Sequence, residues 1–134
     1  MNEAELKDLV ATIQNAKAEF QTVEVKRSKQ NAPERLFDTL SSFSNQDQGG
    51  VIVFGLDEKS GFAITGVDDV QLLQKSVMEQ CNQMEPPVRA VFTVTEFDGQ
   101  YVVSAEIPPI DIAERPCFYK GNLLRKINRQ NNQI

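Results

Sequence analysis

Histidine is absent from all 134 residues, and the gap excludes a good deal of chemistry. Without an imidazole there is no Ser-His or Cys-His nucleophile pair, no His-ligated metal and no histidine general base. Any reaction would rest on carboxylates, lysines or hydroxyls. Thiols are scarce as well. Cys81 and Cys117 stand far apart with no second pair, which argues against a zinc site or a disulfide framework and for two reduced, buried side chains. No apolar run approaches the roughly twenty residues that a bilayer requires. The opening MNEAELKDLV is acidic and amphipathic, unlike a signal peptide. The expectation is a cytoplasmic protein with no membrane partner.

Positive charge is also in short supply. Fourteen Lys and Arg against nineteen Asp and Glu leave a net charge of −5, and a pI near 4.8 weighs against a protein that simply coats nucleic acid. The charge is uneven, however. From Arg115 to Arg129 the chain carries Arg115, Lys120, Arg125, Lys126 and Arg129 and no acid, while Lys26, Arg27 and Lys29 form a second basic cluster.

What is present fits one domain, long enough to bury roughly two-thirds of its unfolded surface without covalent support. The stretch around which the rest is arranged runs from Gly49 to Asp57. Val51 to Phe54 are four consecutive apolar residues bracketed by glycines, the pattern of a central strand buried on both faces, expected over Val51–Leu56. The Gly49-Gly50 pair lets the chain leave the preceding helix through backbone angles closed to other residues, and Gly55 makes room for another backbone or a ligand.

In chain order, Glu3 to Ala18 is read as a helix with Leu6, Leu9, Val10 and Ile13 on one stripe, a packing face or a seam for a homodimer. Thr22 to Lys26 alternates as a strand. Asn31 and Pro33 suit the start of a second helix, with Leu36, Phe37, Leu40 and Phe43 as its buried stripe. Phe62 to Thr65 reads as a short returning strand. Asp68 or Asp69 caps a third helix, on which Val70, Leu73, Val77, Cys81 and Met84 recur at helical spacing until Pro86-Pro87. Val88 to Ile107 reads as a hairpin turning at Asp98-Gly99, with Glu96 opposite Tyr101, Val94 opposite Val103 and Phe92 opposite Ala105. That register gathers Phe92, Val94, Tyr101, Val103, Ala105 and Ile107 on one face and Thr93, Thr95, Ser104 and Glu106 on the other. Phe118-Tyr119 and Leu123-Leu124 are expected as edge strands around a turn at Lys120-Gly121-Asn122, followed by a polar tail from Asn128. The fold class is therefore α+β: a mixed β-sheet with a buried central strand, three helices and C-terminal hairpins. It divides into a helical segment 1–18, a core 19–127 and a tail 128–134, and is expected as a small stand-alone protein or as the N-terminal domain of a longer one.

The order of motifs resembles the Schlafen AlbA-like domain, a family formerly called a divergent AAA domain. The resemblance covers roughly residues 19 to 129. It is carried by VEVKRS, a helix ending in Phe-x-Asn, the core SFSNQDQGGVIVFGLDEKSGFAITGVDD and the closing ERPCFYKGNLLRKIN. Val25 stands where the family usually has Phe, and Asn45-Gln46-Asp47-Gln48-Gly49-Gly50 is longer than the usual Asn-Thr-x-Gly-Gly.

The resemblance implies binding of DNA or RNA by a domain of a transcriptional regulator. The residues to carry it are Lys26, Arg27, Lys120, Arg125, Lys126 and Arg129, as phosphate contacts that position without reading bases. No cofactor is implied by that reading. In Schlafen nucleases the same core carries three carboxylates that hold a divalent cation and cut RNA, and the matching positions are Glu19, Glu24 and Asp57. Mg²⁺ or Mn²⁺ needs hard oxygen ligands, and converging carboxylates beside a basic groove would hold the metal and activate water without histidine. The plain alternative is that Glu24 pairs with a Lys or Arg and Asp57 is a turn residue bonded to its own backbone. Nucleotide binding is set aside, because the Gly-Gly precedes the strand rather than joining strand to helix. A non-catalytic interaction or oligomerisation domain is the remaining class.

Overall fold

Gly49 and Gly50 set the course of the central strand. Gly49 lies at φ +66°, and a Cβ there would overlap the Ile107 carbonyl oxygen, while a Cβ on Gly50 would overlap the Phe43 ring. Both glycines thus answer to close packing, with the chain entering the sheet directly beneath helix α2 (Phe37–Ser44). The strand that follows, β2 (Gly50–Phe54), is hydrogen-bonded on both sides. The computed structural model describes residues 1–29 and 35–121, and among these the chain forms three helices, a four-stranded mixed sheet and two two-stranded sheets.

The main sheet has the order β1 (Val23–Lys26), β2, β7 (Gln100–Ile107), β6 (Val91–Phe97). Strand β1 runs parallel to β2 with Val25 opposite Val53, and β7 runs antiparallel with Ala105 opposite Ile52. The hairpin β6–β7 has the expected register, Glu96 opposite Tyr101, Val94 opposite Val103 and Phe92 opposite Ala105.

Each sheet face carries its own core. Helices α2 and α3 (Val70–Asn82) cover one face, where Leu40, Phe43, Leu73 and Val77 pack on Ile52, Phe54, Val103, Ala105 and Ile107. Helix α1 (Glu3–Ala16) covers the other, burying Leu6, Val10 and Ile13 against Val23, Val25, Val53 and Val102. Its apolar stripe is therefore a packing face within the chain, and Leu6 and Ile13 are fully buried, so they offer no seam to a second copy. Thr93, Thr95, Ser104 and Glu106, the face opposite Phe92 and Val94, lie under α1 and its N-terminus. There the Met1 amine meets a Glu106 carboxylate oxygen at 2.9 Å and the Met1 carbonyl accepts from Thr93 Oγ1.

The structure moves several boundaries. Helix α1 stops two residues short of the expected end, at Ala16, because Lys17 takes a left-handed conformation. The central strand ends at Phe54 rather than Leu56. Gly55, at φ +108°, breaks it where a Cβ would crowd the Tyr101 carbonyl and Gly66, and Leu56–Asp57 turns away as β3 to pair with Ala63–Ile64, β4. Helix α3, capped by Asp69, ends at Asn82, before the prolines, so that Met84–Glu85 can form β5. Its partner is Phe118–Tyr119, β8. Asn31 and Pro33, proposed to start α2, and Leu123-Leu124 lie outside the described residues.

Candidate functional site

Lys26 ends β1, and the cluster it begins faces outward by the strand's own alternation. Val23 and Val25 are buried while Glu24 and Lys26 are half-exposed. Lys26 Nζ sits 3.3 Å from Glu24 Oε1 on the same strand, a surface pair of the kind worth roughly 0–1 kcal/mol. Arg27 and Lys29 follow, exposed, and among the described residues neither has a carboxylate partner. The Lys29 carbonyl accepts from Asp68 N–H at 2.6 Å, which ties this segment to the start of α3.

The second basic region begins on β8, held by helix α2. Asn45 grips the Cys117 peptide from both sides: Nδ2 donates to the Cys117 carbonyl at 3.0 Å and Oδ1 accepts from its N–H at 2.7 Å. Ser41 Oγ, one turn earlier on the same helix face, donates to the same carbonyl at 2.9 Å. The Tyr119 ring stacks on Phe37 with centroids 3.8 Å apart. The strand therefore leads Lys120 out at a fixed place, where its ammonium lies 3.7 Å from Glu85 and half-exposed. Arg115 is different: its Nη1 reaches Asp47 at 2.9 Å and its Nε donates to the Ile110 carbonyl, so it braces a loop. Arg125, Lys126 and Arg129 lie outside the described residues.

The three carboxylates are each engaged separately. Asp57 accepts from Lys59 N–H at 3.2 Å and from Ser60 Oγ at 2.9 Å, closing its own turn. Glu24 pairs with Lys26. Glu19 Oε1 accepts from Val25 N–H at 3.1 Å. Burial pushes the Glu19 carboxyl above its ordinary value, and the nearby charges of Glu24 and Glu58 push the same way against the Val25 bond and Lys26. Among the described residues no three carboxylate or thiol side chains are arranged to hold a metal ion, and Glu19, Glu24 and Asp57 each keep a separate partner.

Two further places bear on phosphate. The cleft of about 350 Å³ beside Gly50 is lined by residues such as Thr22, Gln48 and Glu106 and, among the described residues, by no lysine or arginine, in keeping with glycines that serve packing. The free thiols of Cys81 and Cys117 are both buried, and burial pushes Cys81 up to about 11, which leaves it a packing residue at neutral pH.

The bidentate Asn45 clamp and the Glu19–Val25 bond escaped the sequence reading. Ser41 and Asn45 at helical spacing on the polar side of α2 were the available signal for the first. The second had none beyond proximity in the chain.

With the geometry in view, the profile of the family described as Schlafen, AlbA_2 matches residues 19–134. Among solved structures, the chain is similar to the N-terminal domain of an ATP-dependent DNA helicase RecG-related protein from Nitrosomonas europaea. The two share 22% identity and a TM-score of 0.70, over 84% of this chain and 78% of that one. It is more distantly similar to the DIP2311 protein from Corynebacterium diphtheriae, with 17% identity and a TM-score of 0.49 over 89% of this chain and 25% of the other. Comparison with curated proteins gives no match.

Proposed function

Because the chain belongs to the Schlafen AlbA_2 family, we propose that it is a nucleic-acid-binding domain of a cytoplasmic transcriptional regulator. The observation that carries the reading is the pair Arg27 and Lys29, exposed at the end of a strand and without a carboxylate partner among the described residues, in a molecule of net charge −5. Cations left without carboxylates on an acidic protein suit phosphates, which release condensed counterions on binding. Lys26 and Lys120 sit in weak surface pairs and exchange them for phosphate at little cost. Arg125, Lys126 and Arg129 extend the same acid-free run. These residues position the domain on a backbone, and no base-reading side chain is assigned.

The test is fluorescence anisotropy with a labelled duplex and a labelled single strand across a salt series. Six phosphate contacts on duplex DNA predict a slope of log affinity on log salt of about −5. Arg27→Glu is expected to weaken binding and to shallow that slope. Absence of binding in low salt would sink the proposal. Cleavage of the labelled strand that requires Mg²⁺ or Mn²⁺ and vanishes in Asp57→Ala would assign a nuclease instead.

A further inference from the structure

The outer edge of β6 has no strand beside it among the described residues. The strand ends the sheet, and among the described residues no backbone hydrogen bond reaches its outward groups. Exposed edges in natural proteins are blunted by proline, lysine or a bulge. This one is seven residues, VFTVTEF, with Glu96 as its single charge.

A cleft of about 550 Å³ runs along the same edge, walled by Glu3 and Lys7 of α1, Thr95 and Glu96 of β6, Asp98 of the turn and Tyr101 of β7. By alternation Thr95 lies on the α1 side of the sheet and Glu96, opposite Tyr101, on the other, so the cleft wraps round the edge. Thr95 is 2% exposed, yet among the described residues its Oγ1 has no hydrogen-bond partner. Buried hydroxyls are nearly always satisfied, which marks this one as a group awaiting a partner. Glu3, Glu96 and Asp98 take part in no ion pair among the described residues, and Lys7 is drawn over the Phe97 ring, 5.6 Å from its centroid.

We propose that this edge receives an extended, basic peptide segment of a partner protein as an added strand. The peptide main chain pairs with the free groups of β6, its lysine or arginine side chains meet Glu3, Glu96 and Asp98, and the Thr95 hydroxyl takes one of its polar groups. The charge pattern selects the occupant. A second copy of this chain would set the same carboxylates against themselves, whereas a basic segment complements them. The proposal is independent of nucleic-acid binding at Arg27 and Lys29.

The probe is an octapeptide alternating lysine and valine, titrated in low salt into the ¹⁵N-labelled full chain, with a glutamate–valine octapeptide as control. Saturable shifts confined to residues 91–97 and the start of α1 are expected with the lysine peptide and not with the control. Thr95→Val should weaken binding by about fivefold, the worth of one hydrogen bond, with no loss of stability in a urea melt. Glu96→Lys and Asp98→Lys, both on the surface, should each weaken it severalfold. No saturable shift at β6, or equal affinity in Glu96→Lys and Asp98→Lys, overturns the proposal. So does concentration-dependent dimerisation in light scattering with the same β6 shifts in the absence of peptide, which would give the edge to a second copy.

Discussion

Asn45 shows how much can depend on one amide. Its two hydrogen bonds to the Cys117 peptide fix the strand that presents Lys120, and its removal leaves a half-buried N–H without its acceptor. Asn45→Ala is expected to cost about 1–3 kcal/mol in urea unfolding, and a loss under about 0.5 kcal/mol would show the clamp to be incidental. Glu19 gives a pH signature. Its folded-state value is raised above 4.5, mainly by burial, so the folded protein binds this proton more tightly than the unfolded chain. The penalty of the charged form is present above the folded value and is relieved as pH falls toward 4.5. Glu19→Gln keeps an acceptor for Val25 and removes that dependence. The variant should be more stable than the parent at pH 7, with the gap closing by pH 4.5, and an equal gap at both pH values would contradict the assignment. Neither bond follows from periodicity: Asn45 reaches backbone 72 positions away, and Glu19, though only six positions from Val25, bonds it through a side chain that no repeat marks. The turn-bound Asp57 and the Glu24–Lys26 pair were legible, since both follow from local chemistry.

Among elements, those with long periodicity were the readable ones. The α3 stripe and the β6–β7 register emerged from repeats of several residues and a turn at Asp98-Gly99. The β5–β8 ladder did not, because two residues per strand hold no period. Nor did the docking of α1 on the face of Thr93, Thr95, Ser104 and Glu106, since neither pattern pairs that helix with that face. The approach of α2 to β2 is tight enough that Gly50→Ala should cost about 1–3 kcal/mol through displacement of the Phe43 ring, measurable as a lowered urea midpoint. A fragment starting at Glu19 keeps every residue of the family match yet loses the cover over Val23, Val25, Val53 and Val102. It is expected to bind a hydrophobic dye and to aggregate, and a soluble, monomeric fragment would show that α1 is an accessory.

For the molecule as a whole, the acidic balance predicts a solubility minimum near pH 4.8, seen as a peak in light scattering across a pH series, because colloidal repulsion vanishes with net charge. The overall class, an α+β fold with a mixed sheet, followed from composition and pattern. Strand order did not, since it is fixed by contacts between residues remote in the chain. That remoteness governs assembly. The Met1 amine binds a side chain 105 positions away, and β2 waits for β7 to complete its antiparallel side. In a nascent chain α1, a 14-residue helix, is of marginal stability by itself and has nothing complete to dock on until residue 107 has left the ribosome. Loop closure of that span precedes any reward from packing, so folding is expected to be late and nearly all at once, with α1 among the last elements to settle.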